Sequence, residues 1–438
     1  MLFHVAVALL QQSGRALRGD YLLVFRGIKG EFRKPEWAAL SNGRALSVSE
    51  EDSPCFAVAK GYKRAEIQNF GERSTLIRYV MEIWGEGSNV ESCAKDTVVP
   101  MDFVDDWRLC VLRLGASRGK TSGAKLRNCR DPTIFEAFFS TFSEMASKTR
   151  VDLQDGTEVL VALNYFKGDH HSKPSLVYCG RVIARGDRDF RQKYALNERK
   201  VLGSTTMDIE NAALMARLAR IDMGHRVLDP FAGSCGCLLA TTRLSKTSGI
   251  AADINDELVN RAADLNFKDL PKPTVIAPCD IHDLNDRLEK DLTFDAIVTD
   301  PPYGRRETCD FPWLTTLLQL ATSRLKPHTG RLVFFVPHAT RPTKENVLEE
   351  LTTNPLFSQF FHLEATPTQH LSACSYWYRT LIVLRRNEHT ASSSDNESYS
   401  HDDQERHQPV AKHDGAHTSL ARAWRLNKNR DAPAKKAQ

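Results

Sequence analysis

Arg226-Val227-Leu228-Asp229-Pro230-Phe231-Ala232-Gly233-Ser234-Cys235-Gly236 is a short apolar run that passes through an acid into a glycine-bearing loop. It continues as Cys237-Leu238-Leu239-Ala240-Thr241-Thr242, which reads as a helix. Small residues let the backbone approach a ligand, and the helix start offers free N–H groups. Gly249-Ile250-Ala251-Ala252-Asp253 then forms a second short strand whose acid stands 24 residues beyond Asp229. That is the spacing of a Rossmann-like βαβ unit, with Asp253 placed for a ribose diol. Alone, a glycine loop is weak evidence.

A third stretch gives the loop its chemistry. Phe294-Asp295-Ala296-Ile297-Val298-Thr299 reads as a buried strand and runs into Asp300-Pro301-Pro302-Tyr303-Gly304. Two prolines supply no N–H, so the carbonyls around them are left to accept. Asp300 and a proline carbonyl can take the protons of an exocyclic amine while Tyr303 stacks on the ring that carries it. An ordinary strand-to-loop turn uses the same residue types.

Together these segments resemble the S-adenosylmethionine-dependent amino-methyltransferases: Asp-Pro-Phe-Ala-Gly-Ser at 229–234, Ala-Asp-Ile-Asn at 252–255 and Asp-Pro-Pro-Tyr-Gly at 300–304. Gly203-Ser204-Thr205-Thr206-Met207-Asp208 and Glu82-Ile83-Trp84-Gly85-Glu86-Gly87 narrow the resemblance to the eukaryotic catalytic subunits that methylate N2 of guanosine 10 in tRNA. The likeness covers roughly residues 20–386 and is densest from Arg191 to Gly304. It implies S-adenosyl-L-methionine as cofactor, a tRNA substrate and a cytoplasmic location. It also implies a heterodimer with a small zinc-binding activator that adds a strand to the sheet. Asp300, Pro301, Pro302 and Tyr303 take the catalytic positions; Asp229, Phe231, Gly233, Ser234, Asp253 and Asp280 take the cofactor-binding ones. The family has glycine where this chain has Cys235. Two other readings stay open: an amino-methyltransferase acting on another nucleobase or a glutamine amide, and a noncatalytic RNA-binding relative.

The resulting architecture is α/β, a Rossmann-like methyltransferase domain preceded by an α+β RNA-docking domain. Its expected parts are an N-terminal extension over 1–20, a THUMP-like docking domain over 21–190, the methyltransferase domain over 191–386 and a disordered polar and basic tail over 387–438. In the second domain, Val227-Leu228, Ile250-Ala251 and Thr274–Ala277 alternate with helices and predict a parallel sheet. Asp280 follows the third strand, either facing an adenine amine or standing as a loop carboxylate. Asp208 is read as the N-cap of a helix over 209–219 that packs against the first strand of the fold. A helix over 314–325 and strands at 331–336 and 380–384 complete the sheet. In the first domain, Val159–Leu163 and Leu176–Ile183 read as a β pair.

The 438 residues are 41% hydrophobic and 26% charged with a formal net charge of +4, so an RNA-binding surface must come from local patches. One such patch is Arg113, Arg118, Lys120, Lys125, Arg127 and Arg130, within 18 residues that hold no acid. Another is the junction from Arg185 to Tyr194, and each reads equally as a solvated polar segment. Arg305 and Arg306 follow the acidic turn, either beside a phosphate or in solvent. Tyr376, Trp377 and Tyr378 read as a base-stacking wall or as core. The apolar start, Met1 to Leu10, is either a weak targeting peptide or a first core helix. No apolar run reaches the ~18 residues of a membrane span, which predicts a soluble protein. Ten scattered cysteines without a Cys-x-x-Cys pair predict reduced thiols and no metal site.

Overall fold

The computed structural model describes residues 20–26, 30–41, 48–49, 56–114, 127–165, 174–246, 248–302, 313–338, 351, 354–370 and 378–387. It divides into two compact units, Met1–Lys193 and Tyr194–Gln438. The expected N-terminal extension, nearly all of the basic tail, Tyr303, the Arg305–Arg306 pair, Tyr376 and Trp377 lie outside the described residues.

The first unit is α+β. Its eight strands are β1 (Tyr21–Phe25), β2 (Val48–Ser49), β3 (Phe56–Ala59), β4 (Ile77–Gly87), β5 (Trp107–Leu114), β6 (Arg127–Asn128), β7 (Thr157–Asn164) and β8 (Leu176–Arg185). They form one sheet in the order β2-β3-β1-β4-β8-β7-β5-β6. β7 and β8 pair antiparallel, as the sequence pattern suggests, while β5 runs parallel to β7. Aromatic residues fill the core over one part of the sheet: Trp84, Phe103, Trp107, Phe138 and Phe142 are all buried.

Two cations offered to RNA by the sequence also form ion pairs within this fold. Arg113 pairs with Asp131 at 3.0 Å. Arg185, at the start of the expected basic junction, pairs with the buried Glu158, which also holds Arg108 at 2.6 Å. Arg130 remains exposed, while Arg118, Lys120 and Lys125 fall outside the described residues.

The second unit is a doubly wound α/β domain. Its strands are β9 (Val227–Asp229), β10 (Ile250–Ala252), β11 (Thr274–Ile276), β12 (Ala296–Thr299), β13 (Arg331–His338), β14 (Phe361–Ala365), β15 (Thr368–His370) and β16 (Tyr378–Arg386). The sheet order is β11-β10-β9-β12-β13-β16-β14, with β15 also on β16. β11 to β13 are parallel; β16 runs antiparallel between β13 and β14. The inner strand β12 is buried at every residue, and its β-branched Ile297, Val298 and Thr299 suit a strand covered on both faces. β14 and β15 were not anticipated, because Phe361-His362-Leu363-Glu364-Ala365 has neither a clean alternation nor an apolar run.

Asp208 caps the helix Ile209–Leu218, its carboxylate accepting from the Asn211 amide at 3.0 Å. That helix is buried along nearly its whole length because it packs chiefly on the helix Gly236–Ser245 and touches β13, rather than lying on β9 as expected. The segment ahead of it is fastened by Asn266, which follows the helix Asp256–Leu265. The Asn266 amide oxygen accepts from the backbone of Lys200 and Val201, both at 3.0 Å, and its NH2 donates to the carbonyls of Val201 at 2.9 Å and Ser234 at 3.3 Å. Removing it strands buried backbone groups, so Asn266→Ala is expected to lower unfolding free energy by about 2–3 kcal/mol. Denaturant titration of the full chain checks this.

Candidate functional site

The sheet reverses its winding between β9 and β12. Chain order leads from β9 outward through β10 and β11, then returns to β12 on the other side. The crevice beyond the carboxyl ends of such a pair is where open α/β sheets bind ligands. Asp229 ends β9, Asp253 follows β10, Asp300 follows β12, and Asp280 lies four residues past β11. The four acids singled out from the sequence thus arise at one edge of one sheet.

Their environments differ. Asp229 is only 1% exposed. It accepts from the Thr299 hydroxyl at 2.6 Å and from the Phe231 amide at 3.2 Å, tying the end of β9 to the end of β12. Burial pushes its carboxyl up to about 7, while those two donors pull it back down. Phe231 is half-buried and meets Trp313 edge to face, with centroids 6.3 Å apart.

The loop over Asp229 is built from backbone. The Gly233 amide donates to Asp253 at 2.7 Å, and the Asn255 amide donates to the other Asp253 oxygen at 2.8 Å. Each oxygen keeps a lone-pair site for a hydroxyl donor. Gly233 has φ +47°, and a Cβ there would meet open space, so the loop leaves a cradle unfilled. Ser234 shares a 2.9 Å hydroxyl contact with Thr206, whose hydroxyl also accepts from the Gly203 amide at 2.7 Å. The segment preceding the cofactor loop is therefore part of the loop's support.

Cys235 takes a left-handed conformation, φ 60° and ψ 30°, at the start of the helix Gly236–Ser245. Glycine would adopt it without strain, which is the physical content of the departure noted above. Its side chain is fully buried, and burial raises the thiols of both Cys235 and Cys237 far above their ordinary value. Neither is a nucleophile at neutral pH.

Asp280 is exposed and caps the helix Ile281–Arg287, accepting from the His282 amide at 3.0 Å. Its loop-carboxylate reading is satisfied by that cap, and its second oxygen remains for another donor. Asp300 is 19% exposed and faces Arg379 of β16, Nη1 to Oδ2 3.6 Å. Pro301 is buried and Pro302 half-buried. Tyr303 lies outside the described residues.

Thr299, Asn266, Arg199 and Arg379 were missed by the sequence reading. Arg199 is 8% exposed, donates to the carbonyls of Tyr194 at 3.0 Å and Met207 at 3.1 Å, and braces the segment entering the loop. Nothing local in Asn197-Glu198-Arg199-Lys200 marks that role. Thr299 alone had a signal, a hydroxyl ending an apolar strand. Among the described residues, no group of His, Cys, Asp or Glu is arranged to hold a metal ion. No described helix is long and apolar enough to cross a membrane.

Residues 19–188 match the family model of the Tmrp11 THUMP N-terminal domain, and residues 197–353 match that of the RMKL-like methyltransferase domain. The chain is 24% identical to a tRNA (guanine(10)-N(2))-methyltransferase of Saccharomyces cerevisiae, over 66% of this chain and 68% of that protein. It is 25% identical to the enzyme of that name in Xenopus laevis, over 69% of this chain and 67% of the relative. A Dictyostelium discoideum relative of the same name is 35% identical over a shorter stretch, 30% of this chain and 27% of that protein. Among solved structures, TrmN from Thermus thermophilus aligns over 84% of this chain and 99% of its own, at 19% identity and a TM-score of 0.43.

The raised Asp229 carboxyl gives a stability signature. In the folded state Asp229 holds its proton up to about pH 7, whereas an unfolded aspartic acid releases it near 3.8. The folded state binds more protons between those values, so this group lowers stability as pH rises from about 4 to 7 and adds no slope above. Asn can accept from the same two donors without ionising. Asp229→Asn is therefore expected to be more stable than the parent by about 3–4 kcal/mol at pH 8, with the difference vanishing near pH 4. Thermal or denaturant unfolding of both proteins across that range checks it.

Proposed function

We propose, from the match of residues 19–188 to a THUMP N-terminal domain and of residues 197–353 to an RMKL-like methyltransferase domain, that this chain transfers a methyl group from S-adenosyl-L-methionine to N2 of guanosine 10 in tRNA. The observation that carries the reading is the meeting, at one switch point, of a glycine loop backed by Asp253 and an acid–proline–proline turn headed by Asp300. The relatives' shared name supplies the acceptor.

The residues present fit the cofactor. Gly233 leaves its cradle open, Asp253 has acceptor capacity for a ribose diol, and Asp280 has a free oxygen for an adenine amine. Phe231 and Ser234 shape the loop, and Asp229 pins it from below. When bound, S-adenosylmethionine supplies a methyl on a positively charged sulfur.

The chain's own residues must then prepare a poor nucleophile. The lone pair of guanine N2 is delocalised into the ring. Asp300 and the Pro301 carbonyl accept hydrogen bonds from the two N2–H groups and turn that lone pair toward the methyl, so alignment supplies most of the rate. The nitrogen would form its bond to the methyl carbon as the carbon–sulfur bond breaks, and one N2 proton would pass to the Asp300 carboxylate and from there to solvent. Tyr303 receives the face of the extruded base. No covalent adduct to the enzyme is required.

The proposal extends to the resemblance's other terms. The cytoplasm fits a chain whose seven described cysteines are all free and buried. A zinc-binding activator would add its strand at an open edge of the second sheet, which among the described residues ends in β11 and β14.

The test is transfer of labelled methyl to unmodified tRNA, with and without the activator, followed by nucleoside analysis. The expected product is N2-methylguanosine, and Asp300→Ala is expected to lower the rate by about 100- to 1,000-fold while cofactor binding persists. Label in a different nucleoside overturns the acceptor, and tRNA binding with no label in any nucleoside favours the noncatalytic relative.

A further inference from the structure

A buried cation stands near the start of β16, ahead of the strand's apolar centre. On β16, Leu381, Ile382, Val383 and Leu384 are at most 2% exposed, and Arg379 beside them is itself only 6% exposed. Taking a guanidinium out of water is costly unless its surroundings answer the charge. Among the described residues, three groups contribute here. Nη1 lies 3.6 Å from the Asp300 carboxylate, Nε donates to Gln369 Oε1 at 3.2 Å, and Cζ sits 4.0 Å above the ring of Phe335.

Those partners come from three elements whose register explains the meeting. Thr299 of β12 is level with Phe334 of β13, so Asp300 emerges beside Phe335. Arg379 is level with Pro337, two residues further along β13, and its side chain reaches back over Phe335 toward the acid. β15 brings Gln369 directly opposite Arg379. The guanidinium is thus held on its face by an aromatic ring and at its Nε edge by an amide, leaving an Nη to meet Asp300.

We propose that Arg379 is a positioning residue for methyl transfer: it orients the Asp300 carboxylate toward the acceptor amine and, through the Phe335–Gln369 bracket, keeps that carboxylate from turning away. The inference rests on the methyl-transfer reading above and adds a device on β16, outside every motif that supports it. Arg379 acts through Asp300 and touches no substrate. Asp300 is also within the field of Asp229 from β9 and of Cys237 from the helix Gly236–Ser245, and Arg379 forms an ion pair with it. A carboxylate aimed by a fixed guanidinium stays where the amine must dock, and loss of such an outer partner costs about 10- to 100-fold in other preorganised sites.

The experiment uses the full chain with its tRNA and activator. Arg379→Met keeps the stem over Phe335 and removes the charge. Its kcat is expected to fall about 10- to 100-fold with the KM for tRNA changed less than about twofold, and Arg379→Lys is expected to recover part of that loss. Gln369→Leu, which retains the cation but frees its Nε, is expected to fall about threefold to tenfold and serves if Arg379→Met does not fold. In an Asp300→Asn background, Arg379→Met is expected to cost less than about twofold, because the partner through which it acts is gone.

Full activity in Arg379→Met and Gln369→Leu overturns the proposal. So does a loss carried mainly by the KM for tRNA, which would make Arg379 a direct RNA contact. An equal loss in the Asp300→Asn background assigns Arg379 a structural role only. The parent protein reports separately on the underlying reading: if it labels no guanosine, the acceptor is wrong, whereas an active parent with equally active variants condemns only the role of Arg379.

Discussion

A hydroxyl-to-carboxylate hydrogen bond of 2.6 Å, from Thr299 to Asp229, joins the two strand ends between which the second sheet changes direction. Parallel strands at a switch point diverge into separate loops, and their tips need a link if they are to present one surface. Thr299 and Asp229 provide it below the surface, where both are buried. The Asp229 carboxylate also accepts from the Phe231 amide, fixing the first bend of the glycine loop. Asp253 fixes the next by accepting from Gly233. The ligand-facing loop and the acceptor-facing turn are therefore mounted on one hydrogen-bonded base.

That base is protonation-sensitive. A buried carboxyl near 7 is neutral for part of the physiological range, and ionising it there costs stability. Burying an acid is tolerable because Thr299 and Phe231 both donate to one of its oxygens. The same logic operates at the far side of the site. Arg379, a buried charge on β16, is answered by Asp300, Gln369 and Phe335 together. Stability in this region has been traded for placed charge.

Much of this was legible in the sequence, for reasons that are physical. The parallel strands read as short buried runs because helices cover both faces, and the acids at their ends interrupt those runs visibly. Asp208 was recognisable as a cap because capping is local. What was hidden is what depends on distant pairing. Arg379 sits among residues that read as an ordinary strand, and only the register of β13, β15 and β16 brings it to Asp300. Asn266 ends a helix like any polar residue, yet it holds a segment 65 residues earlier in the chain. β14 escaped notice because Glu364, an acid in a strand, answers Arg331 at 2.7 Å and so breaks the apolar pattern, and β15 because Thr368-Gln369-His370 holds no apolar residue. The ion pairs of Arg113 with Asp131 and of Arg185 with Glu158 were hidden for the same reason, since each joins residues far apart in the chain.

The central claim is that the acid–proline–proline turn holds a guanine by its exocyclic amine. Its most direct test compares methyl transfer to tRNA carrying guanosine at position 10 with transfer to the same tRNA carrying inosine there, which differs only in lacking the 2-amino group. The account predicts label in the guanosine tRNA and none at position 10 of the inosine tRNA, with both bound comparably. Equal labelling of the two at that position would contradict it, since the methyl would then be going to an atom other than N2.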